Sequence, residues 1–175
     1  DPDIMWIAGA MGPVKYTTDG GASWSTSAGL PFAFYPRYGL CENESGDPRI
    51  LIIYEQLGSN SYYSDDMGAS YSECSGLGGT SYFTDLSIRL EGDGFDQKVY
   101  MSTDQGIFKS DYGAEYTLCP GLSGLSWSVL GSEGTDVYAG ANNGVFHSAD
   151  EGQTWESFNT GISYIAVWDL VYGSS

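Results

Sequence analysis

Thr17-Thr18-Asp19-Gly20-Gly21-Ala22-Ser23-Trp24 decides the fold, because the chain repeats it three more times. The other copies are Ser64-Asp65-Asp66-Met67-Gly68-Ala69-Ser70-Tyr71, Lys109-Ser110-Asp111-Tyr112-Gly113-Ala114-Glu115-Tyr116 and Ser148-Ala149-Asp150-Glu151-Gly152-Gln153-Thr154-Trp155. Aligned without gaps they share the pattern Ser/Thr-x-Asp-x-Gly-x-Ser/Thr-aromatic. The third copy departs from it, with Lys109 and Glu115 at the two hydroxyl positions. Each shared residue type has a physical task. The carboxylates of Asp19, Asp66, Asp111 and Asp150 accept backbone N–H groups inside their own turns. Gly21, Gly68, Gly113 and Gly152 take the positive φ that such a turn needs. Trp24, Tyr71, Tyr116 and Trp155 return to the core and pin the hairpin. One copy would be a weak signal, but four in the same phase mark a repeat architecture.

The flanks repeat as well. A β-rich run precedes each copy: Ile4 to Ile7, Ile50 to Ile53, Val99 to Met101 and Val137 to Ala139. A short strand then enters each turn: Val14 to Tyr16, Tyr62-Tyr63, Ile107-Phe108 and Val145-Phe146. A further strand per unit is expected near Leu40, Tyr82 to Leu90, Trp127 to Leu130 and Tyr164 to Tyr172. Three or four short antiparallel strands per unit, with no helical periodicity, predict an all-β propeller of four blades. The four aspartates are spaced by 47, 45 and 39 residues, and the path from Asp150 through the chain ends back to Asp19 is 44. One domain over 1–175 follows, with repeats at about 1–31 (plus 161–175), 32–76, 77–120 and 121–160. The C-terminal run is then expected to complete the first blade. It does so in its own ring, or in a neighbouring copy to give a head-to-tail oligomer, or the segment belongs to a longer propeller.

Composition narrows the function. The chain carries 23 acidic against 6 basic side chains, a net charge of −17, which argues against nucleic acid and anionic membrane surfaces. It suits an extracellular or periplasmic medium, or a basic partner. No apolar run reaches the length of a membrane helix. The opening Asp1-Pro2-Asp3, without an initiator Met, reads as processed, excised or incomplete. Cys41, Cys74 and Cys119 are odd in number, so at least one is unpaired or pairs between chains. Cys74 and Cys119 each follow a repeat aromatic by three residues, as buried thiols or as a bridge between blades. No cofactor is expected. The acidic loop Glu91-Gly92-Asp93-Gly94-Phe95-Asp96 offers Asp93 and Asp96 as oxygen ligands for Ca²⁺, with a solvated turn as the plainer reading.

The four turns resemble the Asp-box, or bacterial neuraminidase, repeat. That resemblance implies a propeller in which the boxes are structural and peripheral. Families that carry it include sialidases, xyloglucan-cleaving glycosidases, sortilin-type receptors and a photosystem assembly factor. Sialidase chemistry needs three converging arginines; Arg37, Arg49 and Arg89 are all the chain has, and the family's Arg-Ile-Pro element is missing. Similarity to xyloglucanases implies two carboxylates across a cleft. Asp104, in Thr103-Asp104-Gln105-Gly106-Ile107, matches one of them loosely, and Glu55 falls at the corresponding turn of the preceding repeat. The expected function is an extracytoplasmic, non-catalytic binding or structural module that takes a glycan, a protein or copies of itself. A xyloglucanase-type hydrolase and a sortilin-like peptide receptor are the alternatives.

Overall fold

The computed structural model describes residues 3–8, 12–31, 36–54, 60–78, 83–89, 97–122, 126–131, 135–163, 166, 167 and 170. Among them lie four antiparallel sheets and no helix long and apolar enough to cross a membrane. The first sheet holds β1 (Met5–Ile7), β2 (Lys15–Thr17) and β3 (Ser25–Thr26). The second holds β4 (Pro36–Glu42), β5 (Pro48–Tyr54), β6 (Tyr62–Ser64) and β7 (Ser72–Glu73). The third holds β8 (Phe83–Arg89), β9 (Lys98–Thr103), β10 (Gly106–Ser110) and β11 (Thr117–Leu118). The fourth holds β12 (Ser126–Gly131), β13 (Val137–Ala141), β14 (Gly144–Ser148) and β15 (Glu156–Ser157). In every sheet the strands lie side by side in chain order, a meander that needs only short connections. The strand expected over Tyr164 to Tyr172 falls largely on residues outside the described set; the described Val167 amide donates to the Ala141 carbonyl at 3.0 Å.

The registers superimpose the sheets on one another. Met5 faces Thr17, Ile50 faces Ser64, Val99 faces Ser110 and Val137 faces Ser148. Each sheet therefore has a leading face and a trailing face with matching positions, since side chains alternate along a strand. Three cores fill the junctions between consecutive sheets. Trp6, Val14 and Leu30 of the first trailing face meet Ile50, Ile52 and Tyr71. Cys41, Leu51, Ile53 and Cys74 of the second meet Val99, Met101 and Tyr116. Tyr100, Ile107 and Cys119 of the third meet Val137, Ala139 and Trp155. Burying both faces of the inner sheets makes Leu51, Ile52 and Ile53 an unbroken apolar run rather than an alternating one.

The outer rims are tied by backbone. Ala28 N–H donates to the Ala69 carbonyl and Tyr71 N–H to the Ala28 carbonyl, both at 2.9 Å. Ser75 repeats this with Ala114 at 2.9 Å and Tyr116 at 3.0 Å. Pro120 holds the same place on the third sheet and has no N–H to give, so it cannot repeat this pair of bonds.

Candidate functional site

Three of the four repeat turns are closed around their own hydrogen bonds. The hydroxyls of Thr17, Ser64 and Ser148, each ending a strand, donate to Asp19, Asp66 and Asp150 at 2.6, 2.8 and 2.8 Å. They accept from the amides of Gly21, Gly68 and Gly152 at 3.1, 2.9 and 2.7 Å. Each carboxylate also takes an amide and a hydroxyl four residues on: Ser23 at 2.9 and 2.6 Å, Ser70 at 2.8 and 2.5 Å, Thr154 at 2.8 and 2.6 Å. The hydroxyls of Ser23 and Thr154 lead in holding Asp19 and Asp150 down at about 2. Burial works against Asp66, but its hydrogen bonds still leave it lowered. A carboxylate so saturated with local donors is not free to do acid–base chemistry.

The third turn differs. Its strand ends at Ser110, whose hydroxyl accepts from the amide of Gly113, three residues on instead of four, at 2.8 Å. One residue has been lost, so the gap-free alignment needs correcting there. Asp111 occupies the register of Asp65, and not that of Asp66: Lys98–Asp111 at 2.6 Å repeats the two-pronged Arg49–Asp65 pair at 2.7 and 2.7 Å. Glu115 consequently has no Asp-centred turn to close. Beside this turn opens a recess of about 880 Å³, lined by Glu44, Glu73 and Glu115 with Tyr63, Lys98 and Lys109. Lys109 is committed to the Glu151 carbonyl at 3.1 Å and Lys98 to Asp111, so the uncommitted lining charge is acidic.

The catalytic candidates lie elsewhere. Asp104 sits in the tight turn between β9 and β10, where the Thr103 hydroxyl donates to the Gly106 carbonyl at 3.0 Å and accepts from the Gln105 amide at 3.0 Å. This turn is at the far end of β9 from Lys98, roughly 15–20 Å from the recess at strand rise. Glu55, and the calcium candidates Asp93 and Asp96, lie outside the described residues. Among the described residues, no group of three or more His, Cys, Asp or Glu is placed to hold a metal. All three cysteines are free and buried. Cys74 and Cys119 fall in different junctions, so no bridge joins them; burial pushes them to about 12 and 11.

The remaining distinctive surfaces are the two ends of the stack. On the leading face of the first sheet, Met5 and Ile7 are 38% and 50% exposed, while their register equivalents Ile50, Ile52, Val99, Met101, Val137 and Ala139 are at 2% or less. Trp24 is exposed where Tyr71 and Tyr116 are buried. On the trailing face of the fourth sheet, Phe158 and Ile162 are 54% and 42% exposed. His147 lies there as well, stacked on Tyr138 at 4.7 Å and bonded to Asp136 at 2.7 Å and Glu156 at 3.3 Å. Apolar residue types alone do not separate these faces from the inner ones, since Met5, Ile7 and Phe158 are of the same kinds as the buried residues; the register is needed to tell them apart.

No protein-family model matches the chain, and no curated protein does. Solved structures match. An ancestral GH74 enzyme has a TM-score of 0.55 and 19% identity, over 90% of this chain and 23% of that one. YCF48 from Cyanidioschyzon merolae has a TM-score of 0.57 and 12% identity, over 94% of this chain and 58% of that one. YCF48 bound to D1 peptide has a TM-score of 0.59 and 14% identity, over 99% of this chain and 56% of that one. The chain thus spans less than two thirds of each. What it is similar to is a propeller-like, all-β fold of antiparallel sheets.

Proposed function

We propose that the chain is a non-catalytic, propeller-type binding or structural module, its four sheets acting as Asp-box blades outside the cytoplasm. One observation carries this: side-chain positions buried at every internal junction stand bare on both ends of the stack. Large apolar side chains left exposed together on one face are the kind of surface to which a partner docks. The lopsided charge of −17 supports a setting where solubility matters and nucleic acid is not the target. YCF48, of similar fold, has been solved with D1 peptide, which supports a protein partner over a glycan. A hydrolase of the xyloglucanase type would need Asp104 and Glu55 across one cleft; the recess beside the third turn lies at the other end of β9 from Asp104.

The test pairs a reducing-end assay on xyloglucan with binding of an apolar fluorescent dye. The wild type should release no reducing ends, and dye binding should fall in Ile7→Gln and Phe158→Gln. Reducing-end release that disappears in Asp104→Asn would overturn the proposal.

A further inference from the structure

If the end faces are interaction surfaces, as proposed above, the sheet registers name their partner. We infer that it is a second copy of this chain, stacked head to tail, with the trailing face of the fourth sheet on the leading face of the first. Such a contact continues the pattern that the three internal junctions already establish. At each of these a donor on one trailing face reaches the carbonyl before the next turn's second glycine position. Trp6 Nε1 donates to Met67 at 2.9 Å, Arg49 Nη1 to Tyr112 at 2.7 Å and Lys109 Nζ to Glu151 at 3.1 Å. The equivalent acceptor on the first sheet is the carbonyl of Gly20, at φ +68° like Met67 and Glu151 at 58° and 56°. On the fourth sheet Tyr138, whose hydroxyl is a donor, stands in the register of Trp6.

Size and charge agree with the same pairing. Phe158 takes the place held by Ser27, Cys74 and Cys119, as their matching amide bonds to Val145, Val14, Ser61 and Ile107 show. A ring there needs more room, and the turn it would meet, Gly20-Gly21, is the one of the four with two glycines. Met5 Cε and Trp24 lie near the Cβ direction of Gly21, whereas Gly68 and Gly152 are filled by Trp6 and Cys119 of the preceding sheet. Lys15 is exposed on the leading face where Tyr62, Phe108 and Phe146 stand in the other sheets. The opposite trailing face presents the Tyr138 and Phe158 rings and the carboxylates of Asp136 and Glu156, all suited to a cation. Ile7 and Phe158, one on each face, are both exposed in the single molecule.

The test uses two variants, each blocking one face at exposed positions: Ile7→Glu with Trp24→Glu, and Phe158→Glu with Ile162→Glu. Sedimentation velocity is run on the wild type, on each variant and on their equimolar mixture, with circular dichroism to confirm folding. The wild type should exceed 18.8 kDa, with mass rising with concentration and with salt, which screens repulsion between copies of charge −17. Each variant alone should be monomeric, at least ten-fold weaker in association, and the mixture should stop at a dimer through its one intact pair of faces. If a doubly substituted chain fails to fold, Lys15→Glu, at an exposed strand position, should weaken association several-fold. A monomeric wild type, a blocked variant that dimerises by itself, or a mixture that stays monomeric would each overturn head-to-tail stacking. Those outcomes leave the module proposal standing; that one falls separately, on xyloglucan cleavage.

Discussion

The Asp66 carboxylate accepts three hydrogen bonds inside its own turn, and Asp111 meets one lysine across a hairpin. Asp66→Ala should therefore cost about 1 kcal/mol in urea unfolding, already reduced for its exposure to water, and Asp111→Ala well under half of that. Equal losses at the two sites would contradict the one-residue deletion. Titration gives a second check with two signs. Asp19 and Asp150 sit at about 2 when folded, below the ordinary 3.8, so their contribution is full above pH 4 and fades as pH falls toward 2. For His147, burial pulls downward, but the hydrogen bonds to Asp136 and Glu156 prevail and the net direction is up from 6.5. Its contribution is full below pH 6.5 and lost as pH rises through the folded value. The unfolding midpoint should show that loss in the wild type and not in His147→Phe. The Tyr116 hydroxyl, buried with no hydrogen-bond partner among the described residues, makes Tyr116→Phe neutral or stabilising in the same assay.

At the scale of elements, the turns and junctions divide the labour. Gly76, at φ +82°, would bring a Cβ to 1.9 Å from the Tyr116 carbonyl oxygen across the second junction. Gly46, at φ +80°, faces open space. Gly76→Ala should cost at least about 2 kcal/mol, through strain plus a backbone clash, and Gly46→Ala only about 1 kcal/mol from the left-handed backbone. Thermal midpoints in the reverse order would refute the junction geometry. The strands were legible in the sequence because β-branched and aromatic runs alternate with glycine turns, as in Ile50 to Ile53 and Val137 to Ala139. Two-residue strands such as Thr117–Leu118 were not, since pairing to Lys109 and Phe108 and not composition defines them. The deletion was hidden because Asp111 keeps the Asp-x-Gly spacing. Aligning from the strand side, Phe108-Lys109-Ser110 on Phe146-His147-Ser148, would have exposed it. Asp104 carried the right neighbours for a catalytic turn, but only the strand ends show that it lies away from the recess.

For the whole molecule, the stacking of like faces matters more than any single side chain. Each internal junction buries one leading and one trailing face, so a stack of four sheets leaves one of each uncovered. The bare pair differs from the internal ones in the ways an association surface would: Lys15 replaces an aromatic, Phe158 replaces a small side chain, and Gly20 makes room. With a charge of −17 on each copy, the inferred contact would depend on apolar burial and strengthen as salt screens the charge. The most direct measurement is the mass of the unmodified chain by sedimentation equilibrium across concentration and salt. The account predicts a mass above 18.8 kDa that rises with both. A mass fixed at 18.8 kDa under every condition would contradict it.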